Sequence, residues 1–350
     1  MLDKTKNQVN IKEKNQQKQF LKSIKISKND LLFGILIIIT SIAGIVISIK
    51  SKQYNEFLRR KNPNYYFPTI AEITYKTTIL TIILLIPKVL IEKALFPFTE
   101  KILIDKYNKK EYKHEKIKAK RKMAIYGLKF FHYLIISIHS YFVFDKLDFF
   151  PKELFFHGDQ SSIYNKGLDG FSFFKRPYLF DFHYLLDLAY TFADFICVVF
   201  IYDGQTDIMV MIFHHLCTIN LILFSYYNHY DGIGAITLFL HNVTDIIVYL
   251  ARTMLYVVAP DFIKIIITVC LLTSFIYCRL FVYGKLCYLF FKNATWESFG
   301  IIEAFKFQIT CLYILHCTWT YKLLQIVYNA IKSSSFSDSR EFIKEKNKVN

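Results

Sequence analysis

Two short clusters of polar side chains interrupt long apolar stretches of this chain. The first is the tandem pair His214 and His215, followed one helical turn later by Thr218. The second lies beyond a short polar turn and contains four residues that can form hydrogen bonds: His241, Asn242, Thr244 and Asp245. Ionisable groups inside apolar segments are unfavourable, so by default they indicate a functional site.

A histidine that contacts a carboxylate can act as a general base or as a nucleophile. His214 lies seven residues after Asp207, and Asp245 lies seven residues before Arg252. Helices joined by so short a turn run antiparallel, so each side chain is about 10 Å from the same end of the hairpin. We therefore expect Asp245 to face the two histidines. A polar network that only holds the helices together is the alternative.

The segments that carry these clusters are long enough to cross a bilayer. Of the 350 residues, 53% are hydrophobic, although the net charge is +16. Eight apolar stretches match the roughly 20 residues that a spanning helix needs: 31–49, 77–96, 124–144, 179–202, 207–226, 232–256, 262–291 and 305–331. The fold class predicted from these stretches is all-α, a polytopic transmembrane helical bundle of about eight spans.

The spacing of the stretches divides the chain into four parts. These are a disordered basic cytosolic arm, a region with two transmembrane segments and a basic linker, one large domain, and a cytosolic tail: 1–30, 31–119, 120–331 and 332–350. Positive residues concentrate in the arm and in the linker, which the positive-inside rule assigns to the cytosol together with both termini. The loop 50–76 is also basic and opposes this topology. The expected partner of the basic segments is an anionic membrane leaflet, and nucleic acid is not expected.

Helical periodicity places further polar residues on shared faces of the spans. They are His183, Asp187, Tyr190 and Asp194 of the fourth stretch, Arg279 of the seventh and His316 of the eighth. So much polarity does not fit a lipid-facing surface, so we expect these faces to surround an interior cavity. The second stretch carries Lys88 directly after Pro87. We expect the lysine either to extend to the membrane surface or to mark an interfacial segment.

Metal binding is not expected. The ten histidines form none of the HxxH or HxxHH boxes that membrane di-iron enzymes need. A bis-histidine haem stays open as a minor alternative, because His132, His183 or His214 can supply ligands, although nothing singles out a pair.

The residues around the two polar clusters resemble a known family. The sequence HHLCTINLILFSYYN, followed by LHNVTDIIVYLA, resembles the signature of ceramide synthases within the TLC-domain family, in which HHxxT precedes a polar turn and LHDxSD. SFIYCRLFVY and CLYILHCTW are similar to the family's last two spans, and the resemblance covers about 75–331. It implies six spans that form a TLC domain, and an enzyme of the endoplasmic reticulum membrane. That enzyme transfers a fatty acyl group from acyl-CoA to the amine of a sphingoid base, with acyl-CoA as co-substrate and no other cofactor.

The resemblance also assigns roles to residues. His214 and His215 match the family's catalytic pair, and Asp245 matches the second aspartate of the second motif. Around them we expect a supporting shell that includes Thr218, Thr244 and Arg279, with His241 and His183 nearby.

One position departs from the family pattern, because Asn242 stands where the first aspartate is expected. Asn keeps the shape but removes the negative charge. Asp187 or Asp194 on the neighbouring stripe can compensate. If neither does, the alternative is a non-catalytic TLC-domain protein that binds, senses or transports lipids.

Two sequence signals concern location. Lys346 and Lys348 near the chain end form a KxKxx sequence that resembles a retrieval signal of endoplasmic reticulum membrane proteins. Asn293 begins a glycosylation sequon that the eight-span topology places in the lumen. The sequence leaves open the acyl-chain length, the preferred sphingoid base, which histidine is the nucleophile, and whether the chain forms homo- or hetero-oligomers.

Overall fold

The computed structural model describes residues 28–61, 68–103, 113–144, 178–201, 208–228, 230–293 and 301–333. Most of the basic arm, the KxKxx sequence of the tail and the part of the sequon after Asn293 lie outside the described residues, so the expectations attached to them stay predictions.

The described residues form helices and no strand, with one isolated antiparallel bridge between Leu103 and Val257. The helices are α1 Lys28–Lys61, α2 Ile70–Ile102, α3 Lys113–Phe144, α4 Tyr178–Ile196, α5 Ile208–Tyr227, α6 Asp231–Met254, α7 Asp261–Phe275, α8 Tyr283–Asn293 and α9 Ile301–Ser333. The all-α class predicted from the composition is confirmed.

Seven segments of the described residues are long and apolar enough to cross a membrane. They correspond to the first seven predicted stretches, and the seventh, Asp261–Lys292, joins α7 to α8. The eighth predicted stretch is also helical, because α9 has 33 residues. By composition, however, α9 is not among these seven segments. The chain is therefore a multi-pass helical membrane protein.

Ionisable residues of the bundle are buried within an apolar interior, and large apolar residues are exposed on its outside. On α3, Ile135 and Phe142 are exposed, whereas on α4 His183 and Asp194 are buried. This arrangement is the inverse of a water-soluble bundle, and it is the arrangement expected where lipid surrounds the helices. The predicted inward stripe of α4 is thus confirmed.

The hairpin of α5 and α6 is fixed by contacts with α1. The amide of Asn228 in the turn donates to Ser51 Oγ at 2.8 Å and to the carbonyl of Phe224 at 2.9 Å. Asn55 of α1 donates to the carbonyl of Tyr227 at 3.2 Å. Away from the turn, α5 packs along α1 and α6 packs along α3. The two helices therefore diverge and leave space between them.

Two helices change to π-helical geometry close to the polar residues. Cys197–Ile201 continues α4 just beyond Asp194, and Ile276–Val282 joins α7 to α8 and carries Arg279. Single π turns inside α-helices occur frequently at functional sites. Sequence periodicity assumed 3.6 residues per turn throughout and could not reveal them.

Candidate active site

A cavity lies between α3, α4, α5, α6, α8 and α9. Near the start of α5 its wall carries His214 and His215, together with Asp194 and Asp245. Near the far end of α5 the wall is mostly apolar and aromatic, and it includes Tyr230, Ile233, Phe290, Phe305 and Ile309. The cavity thus has ionisable groups at one end and an apolar lining at the other.

His214 faces the cavity and has an unsatisfied ring nitrogen. Its Nδ1 is buried and has no hydrogen-bond partner. The ring lies edge-on to Trp319 of α9, with the centroids 5.1 Å apart. Thr218 also lines the cavity, but its hydroxyl donates to the carbonyl of His214 at 2.9 Å and so supports the backbone rather than the imidazole.

His215 lies beside a buried carboxylate. Its Nε2 is 3.5 Å from Asp194 Oδ2. Lys88 Nζ contacts Asp194 Oδ1 at 2.8 Å, and Lys129 Nζ contacts Oδ2 at 2.6 Å. Two ammonium groups thus hold one carboxylate, and the histidine approaches the same group.

The position of Lys88 corrects a sequence-based expectation. Its side chain does not extend to the membrane surface but points into the bundle, where it is 11% exposed. Its Nζ lies 3.8 Å above the ring of Tyr190, which itself lines the cavity. The reason is that Asp194 and the aromatic face provide a partner for the charge inside the bundle, so extension to the surface is not required.

Asp245 lines the same cavity as the histidine pair, but its carboxylate is paired with an arginine. Its Oδ1 accepts from Arg279 Nη2 at 2.6 Å, and among the described residues it forms no ion pair with His214 or His215. The same Nη2 also donates to the carbonyl of His241 at 3.1 Å. Arg279 thus takes the carboxylate, because a guanidinium makes a stronger charge-assisted contact than a neutral imidazole.

His241 pairs with His316 across the bundle. His241 Nδ1 lies 2.7 Å from the carbonyl of Thr237, which can only accept, so this nitrogen carries a proton. Its Nε2 lies 3.2 Å from His316 Nε2, which is also 3.5 Å from Arg279 Nη1. Neither histidine is therefore arranged as a free base in this network.

Asn242 belongs to a separate polar cluster. Its amide donates to Asp187 Oδ2 at 3.1 Å, and His183 Nε2 lies 3.5 Å from the same oxygen. His183 in turn contacts Ser140 and His139, each at 2.9 Å. Asp187 and Asn242 line the cavity, whereas His183 is fully buried behind them.

Thr244 does not belong to the expected shell. It is fully buried, its hydroxyl donates to the carbonyl of Leu240 at 2.7 Å, and it does not line the cavity. Threonine in a buried helix often returns its hydroxyl to the backbone in this way.

Three features of the site cannot be read from the sequence. They are the contact of Lys88 with Asp194, the position of Trp319, and the contact between His241 and His316. Lys88 carried a signal, since a charge inside an apolar stretch is unusual, but nothing in the sequence named Asp194 as its partner. Trp319 and the contact between His241 and His316 depend on the arrangement of α9 relative to α5 and α6, which no local pattern encodes.

Comparison with known proteins agrees with the motifs. The model of the TLC domain matches residues 122–325, which is more than half of the chain. Ceramide synthase 5 of Homo sapiens is 26% identical over 161 residues, covering 43% of this chain and 38% of the relative. Alternaria stem canker resistance protein 1 of Solanum lycopersicum is 29% identical over 136 residues, covering 36% of this chain and 44% of the relative. The chain thus matches less than half the length of either relative. It belongs to the TLC-domain family and is similar to ceramide synthases.

Proposed function

We propose that the chain is an acyl-CoA-dependent N-acyltransferase of the endoplasmic reticulum membrane. It transfers a fatty acyl group to the amine of a sphingoid base and so makes ceramide-type lipids. The observation that carries the proposal is the tandem His214 and His215 at the polar end of an otherwise apolar cavity, both with unsatisfied ring nitrogens and the second 3.5 Å from a buried carboxylate.

The two histidines have different surroundings, which supports different roles. His214 attacks the thioester carbonyl, because its imidazole faces the cavity and no carboxylate holds it. A carbon–nitrogen bond forms, the carbon–sulfur bond breaks, and the imidazole proton passes to sulfur, so CoA leaves as the thiol. The acyl group then stays on His214 as an acyl-imidazole.

The amine completes the reaction in a second step. Its nitrogen attacks the acyl-imidazole, the amide bond forms and the bond to His214 breaks. His215 takes the proton that the amine releases, while Asp194 stabilises the imidazolium, and passes it to the departing nitrogen of His214, so both imidazoles end neutral. Asp245 and Arg279 neutralise each other at the cavity wall and position the backbone of α6 at His241. The acyl chain occupies the apolar part of the cavity, and the phosphates of CoA stay near lysines and arginines at the cytosolic mouth.

A microsomal assay tests the proposal. Membranes that contain the wild-type chain, incubated with acyl-CoA and a sphingoid base, are expected to form the amide. His214→Ala and His215→Ala should each lower the rate by about a thousandfold or more, since His214 carries the acyl group and His215 takes the proton of the amine. Formation of amide at equal rates by all three proteins would contradict the proposal.

A second candidate function is lipid binding without turnover. Asn242 favours it, because a neutral amide stands where the family pattern has a carboxylate, and this amide is already engaged by Asp187. A wild type that binds acyl-CoA or a sphingoid base but forms no amide with any acyl chain would select this candidate.

A further inference from the structure

The helix α2 lies before the residues that match the TLC domain, yet it reaches the candidate site. The match begins at residue 122, whereas α2 spans Ile70–Ile102. α2 packs along α4, and Lys88 projects from it onto Asp194 of α4. The side chain of Asp194 is 3% exposed, so the contact is shielded from water.

The two carboxylate oxygens of Asp194 have different partners. Lys88 takes Oδ1 at 2.8 Å, whereas Oδ2 faces both Lys129 at 2.6 Å and His215 Nε2 at 3.5 Å. With one oxygen anchored on each side, rotation of the carboxylate about its Cβ–Cγ bond is blocked. The ring of Tyr190, 3.8 Å from Nζ, restrains the lysine in turn.

We propose that Lys88 is a positioning residue for the acyl transfer, acting through Asp194. It holds the carboxylate ionised and oriented so that Oδ2 stays directed at His215. This inference rests on the proposed function, because His215 needs an oriented carboxylate only if it handles a proton. It adds a helix outside the TLC domain to the parts that the reaction requires.

The test compares neutral and charged replacements in the full-length chain in detergent-solubilised membranes. Lys88→Met is expected to lower kcat by about tenfold or more while KM for acyl-CoA changes less than about threefold, because the lysine acts on the reaction step rather than on substrate binding. Lys88→Arg keeps the charge and should restore kcat to within about threefold of wild type. Lys76→Met is the matched control: Lys76 also lies on α2 but pairs with Glu72 at 2.8 Å and is 43% exposed.

Coupling to Asp194 separates positioning from a general structural effect. In an Asp194→Asn background, Lys88→Met should change the remaining rate by less than about threefold, because its target is already removed. Size-exclusion chromatography gives the folded fraction for every variant. If Lys88→Met is not recovered folded, Lys88→Gln serves as the neutral variant, since it can still donate a hydrogen bond.

The outcomes separate a failure of the proposed function from a failure of the proposed role of Lys88. A wild type that forms no amide contradicts the proposed function itself. If the wild type is active and the folded neutral variants of Lys88 have an unchanged kcat, the role of Lys88 is contradicted. It is also contradicted if Lys88→Met lowers kcat by the same factor in the Asp194→Asn background as in the wild type. A loss of kcat that Lys88→Arg rescues, and that disappears in that background, supports it.

Discussion

Asp194 and Asp245 line the same cavity, but their partners differ. Asp194 is near His215 and two lysines, whereas Asp245 is paired with Arg279. In the proposed mechanism the histidine pair therefore depends on the carboxylate of α4 more than on that of the second motif, which is the opposite of what the spacing in the sequence indicates.

Neutralising each carboxylate tests this difference. Asp194→Asn is expected to lower the amide-forming rate per folded protein by about a hundredfold or more, because His215 loses the group that stabilises its charged form. Asp245→Asn leaves Arg279 buried without its counter-ion, so its main effect should be a lower melting temperature. Both rates and melting curves are measured on the same purified samples. Near wild-type activity of Asp194→Asn would contradict the assignment.

The carboxyl group of Asp187 lies next to position 242. Asn242→Asp would place a second carboxylate against Asp187 and remove the amide donor that now lies 3.1 Å from Oδ2. We expect this variant to be destabilised by about 1–3 kcal/mol, because an acceptor loses its donor in a buried site. The exchanged pair, Asn242→Asp with Asp187→Asn, restores one donor and one acceptor and should recover most of the loss in a thermal unfolding measurement. Equal stability of the single variant and the wild type would show that the contact between Asn242 and Asp187 does not contribute to stability.

At the scale of elements, the side chain of Tyr184 on α4 reaches the backbone of α6 at Gly234. A Cβ on Gly234 would lie 1.8 Å from Tyr184 Oη and 2.9 Å from Ser225 Oγ. Tyr184 Oη and Ser225 Oγ are themselves hydrogen-bonded at 2.5 Å and line the cavity. The missing side chain of Gly234 therefore leaves room for this hydrogen-bonded pair at the cavity wall.

Gly234→Ala should destabilise the bundle by about 1–3 kcal/mol, the range for overpacking. Adding Tyr184→Phe removes the hydroxyl that causes the clash and should recover part of the loss. Gly127→Ala on α3 is the control, since a Cβ there meets nothing within 4 Å. Thermal unfolding in detergent gives all three values, and a stable Gly234→Ala would show that the Tyr184 side chain can move aside without loss.

The apolar end of the cavity is closed by aromatic rings. Tyr230 and Phe305 meet edge-on with centroids 5.6 Å apart, and Phe290 lies 6.5 Å from Phe305. Ser225, near this end, is eleven residues beyond His214 along α5, so the closed end lies about 16 Å from the histidines. An acyl chain attached at His214 would extend toward these rings.

Phe305→Ala is expected to shift the preference toward acyl chains about two to four carbons longer, because a hydrophobic pocket discriminates by the methylenes it can hold. Rates with a series of acyl-CoA lengths measure the shift. Phe291→Ala is the control, because Phe291 is adjacent to Phe290 but 43% exposed on the outer surface. An unchanged chain-length profile for Phe305→Ala would place the acyl chain elsewhere.

At the scale of the whole molecule, the sequence was sufficient for the helices and for their inward faces. Apolar stretches of bilayer length predicted the spans, and the 3.6-residue period predicted that His183, Asp187, Tyr190 and Asp194 share a buried face. Both are local properties of one helix, which is why they can be read from one stretch of sequence.

Contacts between helices distant in sequence could not be predicted in the same way. Lys88 and Asp194 are 106 residues apart, and Asp245 and Arg279 are 34 apart. Which cation takes which carboxylate depends on packing angles and on π-helical segments that shift side chains around the axis. Their spacing places His214 and Asp245 at the same depth in the bundle, but depth does not determine the direction of a side chain around its helix.

The central claim is that the acyl group passes through His214. The most direct measurement is mass spectrometry of the purified chain after brief mixing with acyl-CoA alone, followed by rapid quenching and peptide analysis. The account predicts an acyl group on the peptide that contains His214 and none in His214→Ala. When a sphingoid base is then added, the acyl group should disappear from the peptide as the amide appears. Amide formation at the wild-type rate by His214→Ala, or an acyl group attached at a residue outside the cavity, would contradict it.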